Sequence, residues 1–223
     1  MDILDQSPLF DNLSDDVKQK ISEKGKKSTY PADEIIFDRE DPGDNFYTVL
    51  DGLVKITIPD PLSERNKTLA LLGPGEVLGE MAVLTDKSRS GRATSARETT
   101  LFELDHKEFR SLMEEVPQIG INLSRVLSKR LWDTDTEVQA VTFQTIPGRL
   151  ASQLLKLMDQ FGIPDSDGTK IDIKLTHQEL ADIVGTNRET VTRHLNKFKE
   201  KDIISQQEGN LIIKNRERLE GWM

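Results

Sequence analysis

The 223 residues predict an α+β chain in three parts: a roll of short strands, one long helix, and a small helical unit finished by a hairpin. Three observations predict it. Between Ser28 and Leu104, short runs of branched and aromatic residues alternate with strong turn signals. From Pro117 no proline recurs before Pro147, and no glycine follows Gly120 before Gly148, so one long helix can run there. Beyond Pro147, two short amphipathic segments meet at Gly185 and a turn-and-strand pair follows.

In chain order, Asp15–Lys24 reads as a short helix, with acids first and Lys18, Lys20 and Lys24 later, the order its dipole favours. Glu34–Phe37, Phe46–Leu50, Leu53–Ile58, Thr68–Leu72 and Thr100–Leu104 read as strands. Asp41-Pro42-Gly43-Asp44, Asp51-Gly52, Pro59-Asp60-Pro61 and Gly73-Pro74-Gly75 supply the corners. Many short strands with Gly-rich corners suit a small sandwich or barrel that leaves few edges exposed. On the long helix Leu127, Leu131, Thr134, Val138 and Val141 step by four, three, four and three, a coiled-coil seam of about two heptads. Pairing with a second copy is the favoured reading of the seam; packing on its own domain is the alternative. Thr145-Ile146-Pro147-Gly148 marks a boundary, because proline suits the first turn of a helix. Arg149–Phe161 then places Leu150, Leu154, Leu155, Leu157, Met158 and Phe161 on one side, and Pro164–Thr169 reads as a polar loop. Gln178–Val184 and Arg188–Lys199 are helical. Ile203–Ser205 and Leu211–Ile213 flank the turn Glu208-Gly209-Asn210 as a hairpin. The expected divisions are 1–116, 117–143 and 144–223.

Composition excludes several chemistries. With no cysteine there is no disulfide, thiolate zinc site, cysteine-held iron–sulfur cluster or thiol nucleophile. No apolar run approaches the roughly 18–20 residues of a membrane span, and the N-terminus, Met1-Asp2-Ile3-Leu4-Asp5, lacks the build of a signal peptide. A cytoplasmic protein without a membrane partner is expected. The net charge of −9 counts against nucleic acid if taken whole, since DNA binders carry a basic footprint. Divided, it does not. Residues 1–143 hold 18 basic and 27 acidic side chains, residues 144–223 hold 12 of each, and Arg188–Lys201 holds five basic and two acidic.

That basic segment lies in a helix-turn-helix pattern. Thr176 and Glu179 form a capping box, Leu180, Ile183 and Val184 mark a buried face, and Gly185 supplies the left-handed turn. Asn187 can cap the next helix, whose core is Val191, Leu195 and Phe198. Arg188, Glu189 and Arg193 can project from one side into a major groove, where Arg grips guanine and Glu accepts from cytosine. A solvated Glu189–Arg193 pair is the alternative, worth only a few tenths of about 1 kcal/mol. With a hairpin as wing, DNA reading is favoured. Phosphate contacts are expected from Lys197 or Lys199, the hydroxyls of Thr176 and Thr190, Asn187 and backbone N–H groups, and Gln178 is a further DNA-binding candidate.

A second constellation lies in the roll. Gly75-Glu76-Val77-Leu78-Gly79-Glu80-Met81 is followed by Arg89-Ser90-Gly91-Arg92. A Gly-rich corner, a carboxylate opening a helix and an Arg-Ser pair can enclose a phosphorylated sugar: N–H groups and Arg take the phosphate, and Glu80 accepts from a ribose hydroxyl. A surface Arg89 and a salt-bridged Glu80 fit the residues as well.

The E-D-P-G-D turn (Glu40–Asp44), the G-E-M-A-V-L…R-S cassette (Gly79–Ser90), P-G-R-L-A (Pro147–Ala151) and V-G-T-N-R-E-T-V-T-R (Val184–Arg193) occur together, and the whole chain resembles the catabolite activator protein, or CRP–FNR, family. The resemblance implies a cyclic-nucleotide-binding β-roll (a jelly-roll-like barrel), a long dimerisation helix and a C-terminal winged helix-turn-helix. It implies a cyclic nucleotide, cAMP first and cGMP as alternative, held by Gly79, Glu80, Met81, Arg89, Ser90 and Gly91, with Arg130, Thr134 and Asp135 from the long helix closing over the purine. It further implies a homodimer reading palindromic TGTGA half-sites through Arg188, Glu189 and Arg193, with RNA polymerase as partner where the protein activates.

Three positions depart from the family pattern. Asp135 stands where a Ser from the partner subunit usually meets the adenine, and its carboxylate suits guanine's donors as well. Thr145 replaces a frequent hinge Asp. Gly91-Arg92 replaces a small pair, so Arg92 can supplement or compete for the phosphate. Another effector, or DNA binding without ligand, is the second reading. Haem or cupin-type metal catalysis is disfavoured, because residues 1–105 hold no His and His177 and His194 fall in the DNA-binding part. His106 reads as a surface residue, and no enzymatic activity or cofactor is expected.

Overall fold

The structure is a computed structural model that describes residues 4–60 and 66–223. It forms two compact units, Met1–Trp132 and Asp133–Met223, so the long helix is shared between them. The first three residues of the acidic N-terminus, and Pro61 of one predicted corner, lie outside the described residues. No helix among those described is long and apolar enough to cross a membrane.

The first unit opens with a 3-10 turn, Pro8–Phe10, and α1 (Asp15–Lys24). The strands are β1 (Lys26–Tyr30), β2 (Ile35–Phe37), β3 (Asn45–Asp51), β4 (Val54–Pro59), β5 (Asn66–Leu72), β6 (Val77–Leu78), β7 (Arg92–Ser95) and β8 (Thr99–Asp105). The short helix α2 (Glu80–Thr85) interrupts them, and α3 (His106–Glu115) and α4 (Pro117–Phe143) follow. Two antiparallel sheets result, ordered β1-β8-β3-β6 and β2-β7-β4-β5. Because successive side chains on a strand point to opposite faces, β3 serves two cores. Tyr47 and Val49 meet Leu101, Val54, Leu72 and Ala93 in one. Phe46 joins Phe102, Leu104, Ile21, Phe109, Ile119 and Leu123 in the other. Phe46 stacks on Phe109 with ring centroids 4.0 Å apart, which seats α3 on the sheet. Asn122, buried on α4, donates to the carbonyls of Leu9 (3.0 Å) and Asp11 (2.8 Å) and ties the N-terminal turn to the helix.

The predicted roll is present with more strands than its apolar runs disclose. β1 (Lys-Lys-Ser-Thr-Tyr) and β7 (Arg-Ala-Thr-Ser) carry little hydrophobic pattern and are held by register against β8 and β4. His106 opens α3 half-buried, with its Nδ1 enclosed, and so differs from the surface residue predicted.

The second unit holds the end of α4, then α5 (Ile146–Phe161), β9 (Gly162–Asp165), β10 (Gly168–Ile171), α6 (His177–Val184), α7 (Arg188–Glu200), β11 (Ile204–Gln207), β12 (Asn210–Ile213) and α8 (Arg216–Glu220). Thr145 caps α5, its hydroxyl accepting from the Gly148 N–H at 3.4 Å, so this departure from the family pattern has a local use. The predicted polar loop Pro164–Thr169 is instead the tip of a β9–β10 hairpin, made a sheet by pairing of β10 with β12 in the order β11-β12-β10-β9. Its polar sequence lacks alternation because a backbone ladder forms it. The predicted hairpin β11–β12 is observed.

Candidate functional site

In the first unit, β6 delivers the chain to Gly79, which adopts the left-handed conformation (φ 86°) and opens α2. A Cβ there would fall 2.5 Å from Arg89 Nη1 and 2.9 Å from the Asn45 carbonyl, so only glycine fits. Arg89 explains the crowding. Its side chain is 4% exposed; Nη2 donates to Asn45 O at 2.7 Å and Nη1 to Gly79 O at 3.1 Å. The guanidinium lies 4.4 Å from the centroid of Phe37 and 5.7 Å from that of Tyr47. Its Nε is enclosed with no hydrogen-bond partner, and among the described residues no carboxylate lies within 4.0 Å. Burial pulls the Arg89 pKa down, opposed by Tyr47, Asp44, Glu80 and Asp41. The surface Arg89 that the sequence left open is therefore not the one observed. A buried cation without a counter-ion is costly, and an anion beside it would offset that cost.

Glu80, also 4% exposed, takes part in the salt bridge that the sequence left open: Arg130 Nη1 donates to its Oε1 at 2.7 Å, while Nη2 contacts the Val77 carbonyl. Fifty residues separate Glu80 from Arg130, so no spacing signal discloses the pair. Ser90 is exposed, with its Oγ 3.9 Å from the sulfur of exposed Met81, and Gly91 is buried. Arg92 forks onto Asp38 at 3.0 and 2.6 Å and is thereby engaged with another acid. That pairing lowers the Asp38 pKa and raises that of Arg92. Thr134 and Asp135 are exposed on the part of α4 that belongs to the second unit. Along α4, Leu127 packs on the roll's core, whereas Leu131 (63%), Val138 (60%) and Val141 (58%) are exposed, together with Trp132 and Phe143.

The second unit builds the helix-turn-helix as its local rules require. Thr176 Oγ1 accepts from the Glu179 N–H (3.1 Å), and Glu179 Oε2 accepts from the Thr176 N–H (2.9 Å). Gly185 ends α6 at φ 75°. Asn187 Oδ1 accepts from the Thr190 N–H at 2.8 Å and starts α7. Thr190, Val191, His194, Leu195 and Phe198 are buried, which leaves a shallow groove of Arg188, Glu189, Thr192, Arg193, Asn196 and Lys197 facing outward. No Glu189–Arg193 ion pair within 4.0 Å occurs among the described residues, so these charges are available to a ligand. Thr176, Gln178 and Asn187 are exposed. Thr190 departs from expectation: at 9% exposure it faces the core, because it shares the buried stripe of Val191 and His194, and its hydroxyl is poorly placed for a phosphate. Sequence reasoning missed Thr192 and Asn196, which follow Arg188 at intervals of four. Thr192 donates to the Arg188 carbonyl (2.9 Å) and contacts His177 Nδ1 (2.7 Å), which joins the reading helix to the start of α6.

Residues 27–116 match the cyclic nucleotide-binding domain and residues 148–222 the Crp-like helix-turn-helix domain. The cyclic AMP receptor protein of Thermus thermophilus is 32% identical over 96% of this chain and 95% of its own. A global nitrogen regulator of Nostoc is 34% identical over 79% and 80%. The c-di-GMP responsive global regulator CLP of Xanthomonas campestris superposes with a TM-score of 0.78 over 90% of this chain and 99% of that one; at 23% identity it shows the fold alone.

Proposed function

Because the chain belongs to the CRP–FNR family of transcription regulators, we propose that it is a homodimeric, sequence-specific DNA-binding regulator switched by a cyclic nucleotide, cAMP. The observation that carries the ligand is Arg89: a buried guanidinium on two backbone carbonyls, with no carboxylate within 4.0 Å among the described residues and with Gly79 beside it. A cyclic phosphate would supply the missing anion, with Ser90 and the N–H groups around Met81 and Gly91 as further donors. Glu80 would accept from the ribose hydroxyl. Since Arg130 holds that carboxylate, ligand entry would have to share it or release it. A released Arg130, with Thr134 and Asp135, would be available to the purine. This couples the pocket to α4, whose exposed apolar residues suit pairing with a second copy.

Pairing would present two α7 helices about 34–36 Å apart, one turn of DNA. Arg188 and Arg193 would take guanines and Glu189 a cytosine of TGTGA half-sites. Thr176, Asn187, and Lys197 or Lys199 would meet phosphates, Gln178 would face the DNA, and Thr190 would support the helix from beneath. A nucleotide that turns the population from 1:99 to 99:1 must favour the active state by about 5.5 kcal/mol. The chain is a regulator and not an enzyme on this reading, acts in the cytoplasm, and meets RNA polymerase where it activates. The domain limits proposed are 1–116, 117–143 and 144–223.

The engaged Glu80 and the carboxylate of Asp135 favour a second reading, in which cGMP or another effector occupies the pocket, or DNA binds without one. One titration separates them: cAMP and cGMP, each added to the full chain with palindromic TGTGA DNA and with a scrambled duplex. Specific binding that rises with cAMP supports the proposal. A rise with cGMP alone gives the second reading, and specific binding unmoved by either removes the cyclic-nucleotide switch while leaving the DNA reader.

A further inference from the structure

The helix that carries Glu80 is six residues long and cannot hold itself: isolated helices of this length do not form in water. It is gripped at both ends by arginines. At its start, the Gly79 carbonyl accepts from Arg89, and the Val83 N–H reaches that same carbonyl only at 3.5 Å. At its end, where Asp86 turns left-handed (φ 54°), the Val83 carbonyl accepts from both Nε (2.9 Å) and Nη2 (2.6 Å) of Arg110. Arg110 Nη2 also lies 2.7 Å from Asp86 Oδ1. A cation at a helix C-terminus meets carbonyls that lack intrahelical partners.

Arg110 stands on α3 beside Phe109, which is stacked on Phe46 of β3, and only Val116 separates α3 from α4. The grip thus runs from a rigid strand through α3 to the helix that presents Glu80. We infer that Arg110 is a positioning residue for nucleotide binding: its fork on Val83 and Asp86 sets where Glu80 meets the ribose and passes any shift of α2 to α3. The inference rests on the nucleotide-binding reading above.

The experiment uses the full chain, unmutated and as Arg110→Lys and Asp86→Asn, in calorimetric titration with cAMP and in DNA-binding titrations with and without saturating cAMP. Lysine keeps the charge but cannot fork. It should raise the cAMP Kd about tenfold, roughly what loss of one charge-assisted hydrogen bond gives. It should also lower the cAMP-induced gain in specific DNA affinity at saturation, while DNA affinity without nucleotide stays unchanged, a split that general destabilisation would not produce. Asp86→Asn keeps the fork on Val83 and should raise the Kd only about threefold. Arg110→Lys with unmutated affinity and gain overturns the inference. So does an Arg110→Lys chain that no longer melts cooperatively, since the arginine then serves folding. An unmutated chain that does not bind cAMP withdraws the underlying reading instead, and that failure shows before any variant is made.

Discussion

Replacing Arg89 by alanine tests the pocket and the fold together. Had Arg89 been a surface charge, the change would cost nothing in stability. As observed, it strips hydrogen bonds at 2.7 and 3.1 Å from the carbonyls of half-buried Asn45 and Gly79, and removes a cation stacked on Phe37. An orphaned acceptor costs about 1–3 kcal/mol, and the ring contact about 0.5–2 kcal/mol. Losing a buried charge without a counter-ion returns part of that, so the net cost is about 2–4 kcal/mol. At about 2–4 °C per kcal/mol for a chain of this size, the melting temperature falls by about 4–16 °C. Ligand separates this from simple weakening. At a hundred times its Kd, cAMP stabilises a native state that binds it by about 2.7 kcal/mol, or about 5–11 °C. The unmutated chain should show that rise in differential scanning fluorimetry, and Arg89→Ala should show none from its lower baseline. A variant that melts early but gains the full increment refutes Arg89 as the phosphate ligand. One that melts normally refutes its structural role.

Further outcomes follow from the same geometry. Arg188→Ala should relax preference at one G·C pair of the half-site by about 1–3 kcal/mol in competition binding; an equal loss on every sequence would make Arg188 a phosphate contact. Val138→Glu places a charge in the exposed apolar seam of α4. It should weaken self-association about a hundredfold by sedimentation equilibrium, since each buried valine is worth about 1.5–3 kcal/mol. Burial, with Lys199 and Arg188 nearby, lowers the pKa of His177; burial, with Arg193 and Lys197, lowers that of His194. The unfolded chain then binds more protons than the folded one below the ordinary histidine pKa of about 6.5. Stability of the second unit should accordingly be complete above that value and fall as pH drops below it. Thermal melts between about pH 7.5 and about pH 5.5 should show the fall, and a His177→Asn, His194→Leu chain should flatten it.

What could be read from residues alone was whatever obeys local rules. The Thr176–Glu179 capping box, left-handed Gly185 and the Asn187 cap depend on neighbours within four residues, and all three are observed. The helix Asp15–Lys24 has its predicted limits for the same reason. Thr190 was legible too: it precedes Val191 by one residue and His194 by four, and so belongs to the buried stripe. The rest is non-local. β1 and β7 carry few apolar side chains and become strands only beside β8 and β4. The burial of Arg89 arises where Phe37, Asn45 and Gly79 converge from three strands' ends, and the Arg130–Glu80 pair joins groups whose spacing carries no signal. Motif spacing identified the cassette; only packing shows its arginine to be a buried cation.

The charge arithmetic can be taken one step further, to salt. A chain of net charge −9 whose second part is neutral gains little from the general field of DNA. On α7 the outward cations are Arg188, Arg193 and Lys197, with half-buried Lys199 already donating to Gln206 at 2.6 Å. If both arginines are spent on guanines, α7 offers Lys197 and Lys199 to phosphates, about four contacts for the proposed dimer. Each contact contributes about −0.9 to the slope of log K against log salt, giving about −3.6 for specific binding. Fluorescence anisotropy across a salt series measures it directly. A slope near −7 would mean that the arginines too are neutralising phosphates, and base reading by Arg188 and Arg193 would have to be abandoned. A slope near −4 with a large gap between specific and scrambled DNA would mean that this regulator gains its affinity from base contacts, because its charge gives it little else.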